Sequence, residues 1–107
     1  RKLNSTNLKL PRLNEFSDHV YHLFTVYHPK RNKIMRELKK NNIETRIIYP
    51  YPIHKMRAYK DYFKKNKKLK NSEKKSKGIF CLPIYPELKD REVIKICKNI
   101  KEILKKI

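Results

Sequence analysis

The residues best suited to chemistry in this sequence are crowded into one stretch, TRIIYPYPIHKMRAY, from Thr45 to Tyr59. Pro50 and Pro52 each fix φ and lack an N–H donor, and each favours an extended conformation for the residue before it. Around the prolines stand side chains that have an apolar body and a polar tip: Tyr49, Tyr51, His54 and Tyr59. Such side chains suit the rim of a binding pocket. They are also compatible with an ordinary loop whose rings pack on the domain, and the stretch by itself leaves both interpretations open.

Other catalytic motifs are absent from the sequence. It has no glycine-rich phosphate loop, no HExxH, no GxSxG and no pair of carboxylates at a spacing typical of acid–base work. With one glycine in the chain, we expect no cradle of backbone amides for a phosphate group. His19 and His22 are three residues apart in a predicted strand, where they would point to opposite faces, so they predict no metal site. We therefore expect any covalent chemistry to be shared with sequence outside these residues.

Composition indicates one soluble domain. The 107 residues carry 29 Lys and Arg against 10 Asp and Glu, a formal charge of +19. The chain begins without Met, and from this we expect it to be part of a longer protein. No apolar run approaches the roughly 20 residues needed to span a bilayer, and no signal peptide is evident. Cys81 and Cys97 stand in apolar settings and are expected to be reduced core residues of a cytosolic protein.

The basic charge admits two interpretations. Lysine supplies 22 of the 29 basic residues and is spread over every polar face, whereas arginine is the better residue for bidentate phosphate or base recognition. This distribution predicts only non-specific attraction to polyanions at low salt. The alternative is a small basic nucleic-acid-binding module, based on the run KKNKKLKNSEKKSK and on nearby aromatic residues: Lys64–Lys77, with Tyr59, Tyr62 and Phe63.

The first half of the chain predicts an entry arm followed by a strand–helix–strand unit. Residues 1–17 are typical of an arm or edge strand. His19–Tyr27 is rich in aromatic and β-branched residues on both faces, which predicts a central strand. The apolar spacing indicates a helix over Pro29–Lys40, ended by Asn41-Asn42 in a left-handed cap. A second strand is expected over Ile43–Tyr49.

The second half predicts a short helix, a basic insertion, a buried strand and a long helix. The short helix covers Lys55–Phe63, and a solvated, mobile insertion covers residues 64–77. Gly78 admits a positive φ, and a buried strand is expected directly after it at Ile79–Leu82. With Asp90 as N-cap, the closing helix carries an apolar stripe that should cover the sheet: Val93, Ile96, Cys97, Ile100, Ile103, Leu104 and Ile107.

Three strings occur in an order and spacing that resemble one protein family: HVYHLFTV (His19–Val26), NIETRIIYPYPIH (Asn42–His54) and NSEKKSKGIFCLPIYPEL (Asn71–Leu88). Together with Tyr59 and the closing amphipathic helix, they look like the C-terminal small domain of the DegT/StrS sugar aminotransferases. Members of this family usually read HYPxPLH where this chain has IYPYPIH. Ile48 therefore replaces the first family histidine, and His54 matches the second.

The resemblance implies a fold and a reaction. The fold is α/β (α+β), the C-terminal small domain of the type I aspartate aminotransferase fold, with three or four mostly antiparallel strands packed against helices over residues 18–107. The full enzymes use pyridoxal phosphate, bound mainly by a large N-terminal domain, to aminate keto sugars carried on nucleotides. The resemblance further implies glutamate as amino donor, a homodimer, a cytoplasmic location and a role in polysaccharide biosynthesis.

The resemblance also implies which residues of this chain face the cleft. They are expected to position substrate rather than to transfer protons: His22, Tyr49, His54 and Tyr59. No catalytic, cofactor-binding or metal-binding residue is expected here, and the chain alone should be inactive, because the Schiff-base lysine of the family lies in the large domain. A third possibility is a dimerisation or interaction domain that acts without a catalytic half.

Overall fold

The computed structural model describes residues 2–63 and 68–107. It contains, in chain order, strand β1, helix α1, helix α2, strand β2 and helix α3: Phe24–Tyr27, Arg31–Lys40, Lys70–Ser76, Ile79–Leu82 and Asp90–Lys106. Two single 3₁₀ turns, Ile53–Lys55 and Lys60–Tyr62, lie between α1 and α2. The described residues include no helix that is both long and apolar enough to cross a lipid bilayer.

Four segments of chain lie side by side in the sheet. β1 and β2 pair antiparallel along their four residues. One antiparallel bridge joins Lys9 to Tyr27 on the outer side of β1, and another joins Arg46 to Cys81 on the outer side of β2. This arrangement confirms the predicted α/β small domain, although each outer segment is reduced to a single bridge.

The core lies where helices α1 and α3 meet the sheet. Its most buried side chains come from both helices and both strands: Val26, Ile34, Leu38, Phe80 and Ile100. Each large apolar side chain contributes about 1.5–3 kcal/mol on burial, before conformational entropy is counted. The predicted stripe of α3 covers the sheet through Ile100 and Ile103, while Val93 at its beginning stays exposed. The two thiols are free, with Cys81 buried and Cys97 partly buried.

Helix α1 begins two residues later than predicted and ends as predicted. Lys30 is the N-cap, and its backbone N–H donates to Nδ1 of buried His28 at 3.1 Å. Burial first, and then the charge of Lys30, lowers the pKa of His28, which favours the neutral imidazole that can accept this bond. After the helix, Asn42 has a φ of 58°, the left-handed cap that the sequence indicated.

The predicted strand at His19–Tyr27 is wrong over its first half, since β1 begins only at Phe24. The backbone N–H of Tyr21 donates to Nδ1 of His19 at 2.8 Å, and the two rings stack at 4.3 Å. Tyr21 adopts a φ of 48°, so the chain turns instead of extending. Such local side-chain bonds compete with a strand ladder. Val20 is consequently 89% exposed rather than buried.

The expected second strand and short helix are also reduced. Of Ile43–Tyr49, only Arg46 pairs with the sheet, and Ile43 and Ile47 pack on the core beside it. Lys55–Phe63 forms the two 3₁₀ turns instead of one α-helix. The chain enters this region through Pro50 and Pro52, each without an N–H donor. Met56 is extended, with a φ of −71° and a ψ of 137°, so it separates the two turns and interrupts a continuous helix.

Two single residues, Gly78 and the N-cap of α3, differ from what the sequence allowed or indicated. Gly78 does not have a positive φ; it is required because a Cβ there would fall 2.7 Å from Cδ2 of Tyr27 and 2.9 Å from the carbonyl oxygen of His28. The N-cap of α3 is Lys89 rather than Asp90. The cap is completed by Glu92, whose carboxylate accepts the backbone N–H of Lys89 at 2.8 Å.

Part of the basic run 64–77 is regular structure, because α2 occupies Lys70–Ser76. Ser76 is buried, and Nη1 of Arg31 donates to its carbonyl oxygen at 2.5 Å and to that of Ile79 at 2.9 Å. These bonds attach the end of α2 to the beginning of β2. Residues 70–76 of the expected mobile insertion are therefore helical, and its residues 64–67 lie outside the described residues.

Candidate binding groove

A groove of about 590 Å³ opens beside the outer side of β2. One wall is the segment 42–48, and the other is the chain that leaves β2, up to Tyr85; the first turns of α3 close the end. Arg46, Glu92 and Lys95 give this groove charge of both signs, while Ile48 provides an apolar surface. An open groove with apolar walls and a few polar groups can bind a small polar ligand.

Backbone pairing sets the two walls next to each other. The N–H of Arg46 donates to the carbonyl of Cys81 at 3.2 Å, and the N–H of Cys81 donates back at 2.7 Å. Pro83 then ends the strand ladder, since proline has no N–H to continue it. The chain that follows leaves Tyr85 half-exposed at the groove. The string LPIYPEL thus begins in paired backbone at Leu82, and YPYPIH begins three residues after the paired Arg46.

The resemblance implied four residues that face a substrate: His22, Tyr49, His54 and Tyr59. Among the described residues, none of them lines the groove, although their chain neighbours Leu23 and Ile48 do. His22 is exposed beside β1, and the Tyr49 and Tyr59 residues are 62% and 47% exposed. His54 is buried instead, so its ring is unavailable at the surface.

Buried His54 is bonded to a residue for which the sequence suggested no role, Glu73 of α2. His54 Nε2 lies 3.0 Å from Glu73 Oε1, and the two side chains are 2% and 22% exposed. The same oxygen accepts the backbone N–H of Leu69 at 3.3 Å, and Lys55 Nζ lies 3.5 Å from the other oxygen. The hydrogen bond from His54 is the main cause that lowers the pKa of Glu73, with help from Leu69 and Lys55 and against partial burial. Glu73 is therefore a carboxylate, and the N–H of His54 donates to it.

Residues 1–101 match the profile of the DegT/DnrJ/EryC1/StrS aminotransferase family. The chain belongs to this family. The match covers both walls of the groove and confirms the resemblance that the sequence strings indicated. It also favours the aminotransferase interpretation over a small basic nucleic-acid-binding module.

Individual members of the aminotransferase family agree in sequence and in fold. A dTDP-3-amino-3,4,6-trideoxy-alpha-D-glucose transaminase from Micromonospora megalomicea is 28% identical over 94% of this chain and 27% of its own length. The structure of Streptomyces venezuelae DesV in complex with a ketimine intermediate superposes on 99% of this chain with a TM-score of 0.91 and 26% identity, over 29% of that chain. NtdA from Bacillus subtilis, solved with bound cofactor PMP, covers 92% of this chain and 23% of its own, with a TM-score of 0.77 and 28% identity. The chain thus spans about a quarter of the length of the curated relatives it matches.

The groove does not fit the pyridoxal phosphate that the aminotransferase family uses. A Schiff-base lysine reacts as a neutral amine, which burial favours, but Lys95, the lysine among the described groove residues, is exposed on α3. The single glycine is packed under Tyr27 and forms no phosphate cradle. The described part of the chain also contains no group of three or more metal-ligating side chains.

Proposed function

We propose that this chain is the part of a nucleotide-sugar aminotransferase that forms one side of the sugar-nucleotide pocket. The observation that carries the proposal is the groove between the strings NIETRIIYPYPIH and NSEKKSKGIFCLPIYPEL, with Ile48 on one wall and Tyr85 on the other. The Micromonospora megalomicea relative is a transaminase of a dTDP-linked sugar, and we extend that substrate class, a keto sugar on a nucleotide, to this chain. Amino transfer from glutamate would then occur on pyridoxal phosphate held by the remainder of the enzyme.

The exposed aromatic residues would position the sugar. Tyr49 and Tyr59 present hydroxyl groups and ring faces to solvent, and both can bind the alternating polar and apolar surface of a sugar. His22, which lies two residues before β1, would supply a further polar contact. His54 would act indirectly by holding the turn, since its ring is buried. We further propose a homodimer in the cytoplasm, acting in polysaccharide biosynthesis.

A spectroscopic experiment tests where the chemistry resides. The 107-residue chain is titrated with pyridoxal phosphate near neutral pH and scanned for the absorbance of protein-bound cofactor. We expect no specific band and no amino transfer from glutamate to a keto sugar on dTDP or UDP. A saturable cofactor band from these residues alone would contradict the proposal.

A second experiment tests whether Tyr49 and Tyr59 position the sugar in the complete transaminase. Replacing Tyr49 or Tyr59 by alanine should raise KM for the nucleotide sugar by roughly tenfold, because each tyrosine supplies a hydrogen bond together with ring contact area. Replacing Phe16, which is 93% exposed and lies outside residues 45–59, is the matched control and should leave KM unchanged. Equal effects at all three positions would contradict the proposed roles of Tyr49 and Tyr59.

A further inference from the structure

In the described part of the chain, the polar side-chain contacts between the aromatic turn and the rest of the chain end on one residue, Glu73. We define the turn segment as residues 49–63. Its backbone hydrogen bonds are internal, as from Met56 N–H to the carbonyl of Ile53 at 3.0 Å and from Tyr59 N–H to the carbonyl of Met56 at 3.0 Å. Within the described residues, every hydrogen bond or ion pair from the turn segment to the rest of the chain ends on Glu73.

Glu73 is itself held in place by the core. It lies on α2, whose end is attached to the sheet by the two carbonyl contacts of Arg31 Nη1. The hydroxyl of buried Ser76 donates to the carbonyl of Glu73 at 2.9 Å, and the N–H of Leu69 fixes one carboxylate oxygen. A continuous set of polar contacts therefore connects the core, α2 and the turn segment.

The position of the exposed tyrosines follows from this connection. Tyr49, Tyr51 and Tyr59 are about half-exposed or more, so their positions depend on the backbone of the turn as well as on packing of their rings. Pro50 and Pro52 limit the backbone of the segment, which moves more nearly as a unit. We infer that Glu73 is a positioning residue: through His54 it sets where the turn segment presents its tyrosines to the nucleotide sugar. This inference rests on the proposed function.

The first test measures the turn without any activity assay. Glu73→Ala should raise the hydrogen-exchange rates of the Met56 and Tyr59 amides on the order of tenfold or more, because a charge-assisted hydrogen bond with a buried partner is lost. Glu73→Gln keeps an acceptor for the N–H of His54 and should restore most of the protection. The matched control is Glu37→Ala, which removes a carboxylate that pairs with Lys40 at 2.7 Å on α1.

The second test uses the complete transaminase. Glu73→Ala should raise KM for the nucleotide sugar by roughly tenfold and change kcat less than twofold, with Glu73→Gln close to the unmodified enzyme. A residue needed only for folding would instead lower the amount of active enzyme and leave KM unchanged.

The outcomes separate the inference from the proposed function. Unchanged exchange at Met56 and Tyr59 in Glu73→Ala would overturn the positioning role whatever the enzyme does. If Glu73→Ala also loses exchange protection in β1 and α3, the variant has unfolded, and His54→Gln is measured in its place. His54→Gln must then raise the exchange rates of the Met56 and Tyr59 amides, or the inference fails. An unmodified transaminase that aminates no nucleotide sugar would overturn the proposed function, while the exchange result would still decide whether Glu73 holds the turn.

Discussion

The carboxylate of Glu73 accepts hydrogen bonds from His54 and from the backbone N–H of Leu69, and it forms an ion pair with Lys55. The residue lies in a run of lysines, where a lone acidic side chain suggests no more than charge balance. Its role depends on a partner 19 positions earlier, and nothing in the local pattern indicates that pairing. The structure thus shows a contact between Glu73 and the turn that spacing alone could not identify.

Acid should weaken the contact between the turn and α2. Because the folded-state pKa of Glu73 lies below the ordinary value of 4.5, its contribution to stability is complete above that value and is lost as the pH falls through the folded pKa. We expect Glu73→Gln to be less stable than the unmodified chain near pH 6, and the difference to shrink by about pH 3. Urea unfolding at both pH values measures this, and a difference that is constant with pH would contradict it.

Gly78 should not tolerate even one additional carbon. Gly78→Ala places a Cβ against the ring of Tyr27 and the carbonyl of His28, and overpacking of this kind typically costs about 1–3 kcal/mol. The free energy of unfolding from urea titration measures the loss. In a Tyr27→Ala background the loss should be smaller but not abolished, since the backbone carbonyl stays; an equal loss in both backgrounds would exclude the ring as a cause.

At the scale of the element, Arg31 attaches the end of helix α2 to the beginning of strand β2. Arg31→Met keeps much of the side-chain bulk but leaves the carbonyls of Ser76 and Ile79 without this donor. We expect the free energy of unfolding to fall by about 1.5–3 kcal/mol, which is typical of hydrogen bonds to a charged group. The substitution should raise amide hydrogen-exchange rates more in α2 than in α3. Arg36→Met, an exposed substitution on the same helix, is the control. Equal exchange effects in both variants would contradict the assignment.

The end of α1 offers a matched pair of asparagines. Asn42 has a φ of 58°, whereas Asn41 has a φ of −93°. Asn42→Ala should cost about 1 kcal/mol because alanine lacks the short polar side chain whose local hydrogen bonding lets Asn adopt the left-handed region, and Asn42→Gly should be neutral or stabilising because glycine has no Cβ. Thermal unfolding measures both. Asn41→Gly should not stabilise, and a stabilising effect there would show that the cap is not the cause.

Elements with strong local patterns were predictable, and those that depend on distant partners were not. The stripe of α3, the strand at Ile79–Leu82 and the cap at Asn42 follow from periodicity and residue type. The strand at His19–Tyr27 failed because His19 bonds the backbone two residues ahead, a contact that competes with the ladder. Helix α2 was not predicted because its own sequence is polar. The contact that attaches its end to the domain comes from Arg31, 45 positions away.

At the scale of the whole molecule, the charge predicts weak and non-selective attraction. The formal charge of +19 comes mostly from lysine, so binding to duplex DNA or heparin should weaken steeply with salt and be lost near 0.2 M, as expected for counterion release of roughly one ion per contact. A titration of affinity against salt measures the slope. Tight, sequence-selective binding that persists at that salt concentration would support the nucleic-acid-binding module instead.

The two outer bridges of the sheet have a consequence for the behaviour of the chain in concentrated solution. Unpaired strand edges act as templates for intermolecular pairing, and charged side chains at an edge oppose it. Here the outermost paired positions are Lys9 and Arg46, one at each margin of the sheet. Two copies that approached edge to edge would bring like charges together, so self-assembly into extended β-sheet is disfavoured at both margins.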